Sequence, residues 1–550
     1  MGRSTGRHAA IDRIEGPPKD RTPASADRLL VRGGRVVDGA GAEPHRADVL
    51  IVDGVIAEIG DALDSGAGDR VLDADDRLVV PGFIDAHAHA DGAVFRPDAQ
   101  RALLRQGVTT VIGGQDGVSY APGDGAWASR YFAAINGPHP TFTGGSVADL
   151  LATYDGTTPL GAGYLVPAGT VRHAVMGMDA SPPTVCQLAD MTRLVETGLA
   201  DGALGLSTGL DYVPDIFAEA RELAALCTPV ATAGGLYVTH MRGGYETAAA
   251  AGLAEAAEIV RMSGVRAHIS HYHVDAADGI RFIDDLAARG VDVSFDMYPY
   301  TRGCTLVAMA LLPSEYSARS VAEAVALLGD PAERARLRAD WFPLIADKPS
   351  LGPGWPDMVV IAHAPRAPHA AGLSLRAEAA RRGVDVVDAA LDLLTENALE
   401  VSAVMAVRDE RPTSNLARLF SHSAYTGGSD GIYIGDAPHP RGWGTFARLL
   451  GTYTREVGAF GWAQAVRRLA GLPAERYGLH DRGVLNPGRR GDVALVDPDT
   501  VADRATYAQP TALAIGIDDV VVAGVPVLAG GEHTGATPGS AARRTGSAPP

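Results

Sequence analysis

The sequence predicts an α/β chain built on a (β/α)8 barrel of the TIM type, with a small β-domain made from both chain ends. Three observations carry this. From Phe83 onward, short apolar runs alternate with amphipathic helical segments, and repeated strand–helix–strand units imply right-handed crossovers on a parallel sheet. Histidines and aspartates recur where those runs end, the face that carries the site in such a barrel. Short strands with tight turns stand before residue 83 and return after about residue 483.

At 550 residues the chain exceeds one compact domain. Residues 1–26 are polar, rich in Arg, Pro and Gly and without periodicity, so a disordered tail is expected there. From Leu29 the runs LLVRGGRVVDG, ADVLIVDGVIAEIG and RVLDADDRLVVPG read as strands. Arg32-Gly33-Gly34 and Asp53-Gly54 fit hairpin turns between them. GVLNPGRRGDVALVDPD and DDVVVAGVPVLAGGE have the same texture. The economical reading is one composite β-sandwich domain from residues 27–82 and 483–534, followed by a second disordered tail over 535–550.

The barrel is expected over 83–482. DAQRALLRQG reads as a helix with a Gly stop and VTTVIGG as a buried strand. LGAGYLVPAG, ALGLST, LYVTH, RAHISH and VDVSFDMYPY read as further strands, with helical segments between them. The alternation breaks between about Cys304 and Val359. That Pro-rich stretch is too long for a loop and reads as a lid-like insertion at about 305–358. MVVIAHA, VSAVMAV and AYTGGSD then read as strands again.

Composition narrows the function. A formal charge of −18 without any Lys/Arg run argues against nucleic acid as partner. Cys186, Cys227 and Cys304 are too few and too scattered for a disulfide framework. Neither a signal peptide nor an apolar 18-mer is seen, so no membrane partner is expected and a cytoplasmic enzyme acting on a small molecule is the default. Oligomeric state is left open.

Chemistry enters at the end of the first barrel strand. In Asp85-Ala86-His87-Ala88-His89, two histidines two residues apart present their imidazoles on one side of a strand. Imidazole is a common ligand for zinc and similar metals. Asp116 in VIGGQD, His240 in LYVTH, His271 in AHISH and Asp430 in TGGSD also fall at strand ends. Four histidines and two carboxylates can hold one or two divalent ions with a position left for water. A metal there lowers the pKa of bound water from 15.7 to roughly 7 and polarises a carbonyl. A carboxylate beside that water can move its proton, and Asp430 suits that role because Ser429-Asp430-Gly431 opens into a loop. Gly205-Leu206-Ser207-Thr208-Gly209 matches the G-x-S-x-G elbow of serine hydrolases, but a loop rather than a helix follows the serine.

The motifs PGFIDAHAHAD, GVTTVIGGQDGVS, GALGLSTGLDYVP, YVTHMR, ISHYH, DMYPYTRGCT, GGSDG and HPRGWGTFARLLG run in order along the chain. Together with the tail VVVAGVPVLAGGEHTGATPG they resemble the amidohydrolase superfamily, in its N-acyl-D-amino-acid deacylase (D-aminoacylase) branch, over about residues 28 to 540. The resemblance implies hydrolysis of a linear N-acyl amide to a carboxylic acid and a free amine. It implies that His240 and His271 hold a tightly bound zinc, that His87 and His89 serve a weaker second position, and that Asp430 is ligand and general base. It places Tyr298 and Arg441 at the substrate carboxylate and Cys304 in the side-chain pocket.

Two residues depart from that pattern. Asp116 stands where the family has a bridging cysteine, and a harder oxygen ligand can move the preference from Zn2+ towards Mn2+, Fe2+ or Co2+. His273 stands where the family usually has a lysine for the substrate carboxylate, and neutral imidazole is a weaker anchor than ammonium. A cyclic-amide (hydantoin- or lactam-type) hydrolase and a non-catalytic metal-binding barrel therefore remain as alternative readings.

Overall fold

A computed structural model of the chain describes residues 27–66, 68–408 and 410–544. The tail expected over 1–26 lies outside the described residues. The expected tail over 535–550 needs correction in its described part. Gly539 N donates to the Thr158 carbonyl (2.8 Å) and Ala542 N to the Ala162 carbonyl (2.8 Å). Ala541 forms a parallel bridge with Ala162, and Ala542 is buried. Backbone pairing to the strand Gly161–Tyr164 orders a segment whose small, polar composition carries no periodic signal.

Both ends of the chain meet in one sheet. Leu78–Pro81 pairs antiparallel with Val493–Val496, which joins Arg28–Val36, His45–Val52 and Val55–Gly60 to Asp519–Val522, Val525–Ala529 and Glu532–His533. Hydrogen bonding links the strands from both chain ends into one nine-stranded sheet, because that shared strand pair joins the two halves edge to edge. Leu29, Val31, Val49, Ile51, Val79, Val493, Leu495 and Val521 form its own apolar cluster.

From Phe83 the strands are parallel and short. Phe83–Asp85 pairs with Val108–Gly113, and that strand with Gly161–Tyr164. The chain continues through Leu165 into Val166–Pro167, which pairs with Gly205–Gly209. Leu236–His240, Arg266–Ile269, Val293–Met297 and Tyr425–Gly427 follow in parallel register. Ala86 N donates to the Gly427 carbonyl (3.1 Å) and Asp430 N to the His87 carbonyl (2.8 Å), so the last strand lies against the first. Val108–Gly113 and Gly205–Gly209 are buried throughout, as expected of parallel strands covered on both faces. Between them lie helices such as Ala220–Thr232 and Ala249–Ser263, whose buried residues face one side.

The inserted unit is larger than the sequence suggests. Gly303–Leu306, Ser402–Met405 and Val359–His363 form a separate antiparallel sheet. Leu311, Leu328, Trp355, Ile361, Leu391, Leu394 and Ala403 belong to its own core. MVVIAHA and VSAVMAV are thus strands, but not of the parallel set. Short apolar runs look alike in parallel and antiparallel sheets, so periodicity alone cannot assign them. Among the described residues no helix is long and apolar enough to cross a membrane.

One buried histidine in the scaffold gives a pH signature. His139 Nδ1 accepts from Phe142 N (2.8 Å), and the rings of Phe95, Tyr120 and Tyr154 surround it. Burial pushes its imidazole down to about 4. The unfolded chain takes up this proton near pH 6.5 and the folded chain does not, so stability is whole above pH 6.5 and is lost as pH falls through about 4. Denaturant titrations between pH 7.5 and 4 are expected to show a loss approaching about 3 kcal/mol from this group. The slope should flatten in His139→Gln, and an unchanged slope would reject this origin.

Candidate active site

The residues singled out in the sequence converge at the C-terminal ends of the parallel strands. His87 lies just before the two-residue strand Ala88–His89, and His89 ends it. Asp116 follows Val108–Gly113, His240 ends Leu236–His240, and His271 lies just past Arg266–Ile269. Asp430 follows Tyr425–Gly427. Asp116, His271 and Asp430 take φ values of 54°, 33° and 48°. This left-handed region is uncommon for residues other than glycine, and strain of that kind clusters at functional sites. The turn before Asp116 requires glycine: Gly114 has φ 71°, and a Cβ there would lie 2.2 Å from the Leu165 carbonyl oxygen.

Asp116 sits between two histidine pairs. Its Oδ1 is 3.7 Å from His87 Nε2 and its Oδ2 is 3.5 Å from His89 Nε2. Oδ2 is also 3.8 Å from both His240 Nδ1 and His271 Nε2. Two groups of potential metal donors result, His87–His89–Asp116 and Asp116–His240–His271, each within 4.8 Å and sharing Asp116. Asp430 Oδ1 faces the first group, 3.3 Å from His89 Nε2 and 3.7 Å from His87 Nε2.

Neighbouring side chains fix which ring nitrogens face inward. Asn136 Oδ1 lies 3.2 Å from His89 Nδ1 and Asp211 Oδ2 lies 3.2 Å from His240 Nε2. Asp296 Oδ2 lies 3.4 Å from His87 Nδ1 and 3.0 Å from His268 Nε2. Outer partners of this kind orient the rings of metal-binding histidines. Asp85 accepts from Ser429 N (2.8 Å) and Ser429 Oγ (2.5 Å), which fastens the Asp430 turn to the first strand. Ser207 is buried in Gly205–Gly209. Its hydroxyl donates to the Gly114 carbonyl and accepts from Gly117 N, so it ties down the Asp116 turn rather than forming a nucleophile elbow.

The donor set fits a cation. His87 Nε2 and Asp116 Oδ1 are buried without a hydrogen-bond partner, which is costly unless something else satisfies them. Burial alone would lower His89, but the Asp116 and Asp430 carboxylates outweigh it and push the imidazole up to about 10. Burial would likewise raise Asp116, and the surrounding histidines hold it well below the carboxylate range. His240 Nδ1 and His271 Nε2 approach to 3.1 Å, two ring nitrogens turned on one point. The carboxylates around His87, His89 and His240 thus outweigh burial and favour positive charge there, while burial lowers His271.

On the other side of Asp430 lies Arg441. Its Nη1 is 2.7 Å from Asp430 Oδ2, its Nη2 donates to the Cys304 carbonyl (3.3 Å), and its guanidinium lies 4.6 Å from the Tyr298 ring centre. Nε has no hydrogen-bond partner among the described residues. Burial would raise Asp430, but Arg441 outweighs it and keeps the carboxyl ionised. Burial pushes the thiol of the partly buried Cys304 up to about 12, so it is neutral. Tyr298, His273, Cys304 and Arg441 line a cavity of roughly 680 Å³ together with His89, Asp116, His240, His271 and Asp430. The inserted unit contributes Met309, Trp341 and Lys348 to its wall.

All ten site residues chosen from sequence are therefore in or directly behind this cavity. Sequence reasoning misses Asn136, Asp211 and Asp296. Asp296 was accessible, because strand alternation puts it on the same side as Ser294 near the end of Val293–Met297. The others come from loops with no periodic signal.

A family model described as the amidohydrolase family matches residues 70–528. The N-acyl-D-glutamate deacylase of Alcaligenes xylosoxydans xylosoxydans is 34% identical over 508 residues, 91% of this chain and 93% of that protein. The D-aminoacylase of the same organism is 34% identical over 533 residues, covering 94% and 98%. Among solved structures, N-acyl-D-glutamate deacylase from Bordetella bronchiseptica superposes with a TM-score of 0.78 at 31% identity, covering 94% of this chain and 99% of that one. That crystal holds zinc and a phosphonate inhibitor that mimics the tetrahedral intermediate.

Proposed function

The chain belongs to the amidohydrolase family, and from that premise we propose that it is a metal-dependent hydrolase of N-acyl-D-amino acids or closely related N-acylated compounds, releasing a carboxylic acid and a free amine. One observation carries the reading: a carboxylate shared by two histidine pairs, with Asp430 and Arg441 beside it in one cavity. The eight parallel strands are read as a closed (β/α)8 barrel. The contact of Ala86 N with the Gly427 carbonyl supports that closure.

His240, His271 and Asp116 would hold one divalent ion, zinc by analogy with the relatives. His87, His89, Asp116 and Asp430 would offer a second position. Such an ion makes water acidic enough to react at neutral pH and polarises the acyl carbonyl. The protein's own groups do the rest. Arg441, through Nε, and Tyr298 hold the substrate carboxylate, which fixes the amide against the strand ends. Asp430 Oδ1 takes a proton from the attacking water and returns it to the departing nitrogen. Ionic contact with Arg441 keeps Asp430 in the basic form this requires. Cys304 is a neutral part of the side-chain wall.

Purified protein supplied with Zn2+, Mn2+ or Co2+ is expected to release amine from N-acetyl-D-amino acids and not from their L-forms. Chelation should abolish the release and metal should restore it. No amine from the whole panel would contradict the proposal, and turnover of hydantoins alone would move it to a cyclic-amide hydrolase.

A further inference from the structure

The position that carries lysine in the resembling family is filled here by a histidine with an unusual neighbour. His273 lies two residues past His271, and its ring packs 4.4 Å from that of Tyr298, the residue on which Arg441 also rests. Arg411, six residues past the inserted strand Ser402–Met405, reaches back to this turn. Its Nη1 donates to the Val274 carbonyl (2.9 Å) and its Nη2 meets His273 Nδ1.

That contact decides where the ring carries its proton. A guanidinium has only donors, so Nδ1 must accept and the N–H of the imidazole is on Nε2. His273 Nε2 is buried and has no hydrogen-bond partner among the described residues. A buried donor left unpaired is costly, and His273 and Arg411 both line the cavity that holds the strand-end donors. The unused N–H thus awaits an acceptor beside Tyr298 and Arg441.

Resting on the activity proposed above, we infer that Arg411 and His273 act as one unit in recognising the substrate's carboxylate. His273 Nε2–H makes the contact, while Arg411 fixes the tautomer and supplies the positive charge that an imidazole lacks. The charge that the family places on a strand-end lysine comes here from a residue 138 positions further along the chain. His273 is then a substrate-binding residue and Arg411 a positioning residue. The pair makes acid recognition depend on the segment that leaves the inserted unit.

The test compares metal-loaded wild type with His273→Phe, Arg411→Ala, Arg411→Lys and the double variant His273→Lys/Arg411→Ala. Phe keeps the packing on Tyr298 and removes the N–H. Calorimetric Kd and steady-state KM and kcat are measured for N-acetyl-D-leucine, N-acetyl-D-glutamate and N-acetyl-D-aspartate. Each acid is paired with the corresponding N-acetyl amine that carries no carboxylate at all. Loss of a charge-assisted hydrogen bond should weaken the acids roughly ten- to a hundredfold in His273→Phe and Arg411→Ala. Expected alongside are a fall in kcat smaller than the fall in affinity, unaltered affinity for the carboxylate-free amides and recovery in the double variant. Arg411→Lys should lie between, because it keeps a charge and loses the fork. Unchanged acid affinity in His273→Phe and Arg411→Ala would overturn the inference, as would equal weakening of acids and carboxylate-free amides. A wild type that binds none of the acids would also overturn it. A wild type that binds the acids and releases no amine would instead contradict the proposed activity, and the affinity comparison would still decide the role of the pair.

Discussion

Asp430→Asn is expected to lower kcat by about a thousandfold, within the range spanned by general acid–base groups. Asparagine keeps the size of the side chain and an oxygen that can face the histidines, but it cannot take up a proton at neutral pH. The loss should therefore fall on kcat, with a smaller change in KM. A second effect comes from Arg441. Its buried guanidinium loses the carboxylate 2.7 Å away, and breaking one side of a buried ion pair costs about 3–5 kcal/mol. Thermal unfolding should fall together with activity, so kcat must be measured at a temperature where circular dichroism shows the variant folded. A kcat within tenfold of wild type would remove Asp430 from the proton path.

Asp116→Ala should act on both donor groups at once. Its two oxygens face His87, His89, His240 and His271 at 3.5–3.8 Å, so one truncation takes a donor from both groups. Residues that merely orient metal ligands typically cost ten- to a hundredfold in affinity or activity when removed. A shared donor should exceed that, with activity down by about a hundredfold or more at limiting metal. Excess metal should rescue it only in part. Activity unchanged at limiting metal would show that Asp116 is turned away from the ions. Asp116→Cys restores the family's thiolate at the same place and should retain activity, with preference moved towards zinc because sulfur is the softer ligand.

Much of this site was legible in the sequence, for a physical reason. Parallel strands end on one face, so residues at successive strand ends are neighbours in space however far apart in the chain. His87, His89, His240 and His271 follow from that rule alone. Residues that orient them do not. Asn136 and Asp211 come from loops, where no period links a residue to its direction. Arg411 reaches His273 only because the inserted unit returns the chain beside it. That unit's extent is hidden for a related reason: Val359–His363 and Ser402–Met405 have the apolar pattern of parallel strands and pair antiparallel. Composition alone predicts disorder for 535–544, yet backbone hydrogen bonds to Thr158 and Ala162 hold it, and such bonds leave no trace in side-chain pattern. The left-handed φ values at Asp116, His271 and Asp430 were equally invisible, since they arise from how the turns close over the strand ends.

Metal content decides whether Asp116 is shared by two ion positions. Wild type, Asp116→Ala and Asp116→Cys are to be loaded with Zn2+ or Mn2+, freed of loosely held ion and assayed by elemental analysis alongside amine release. Bound metal is expected in wild type and Asp116→Cys, with a clear fall in both metal and activity in the folded Asp116→Ala protein. Equal metal and equal activity in wild type and Asp116→Ala would contradict the sharing.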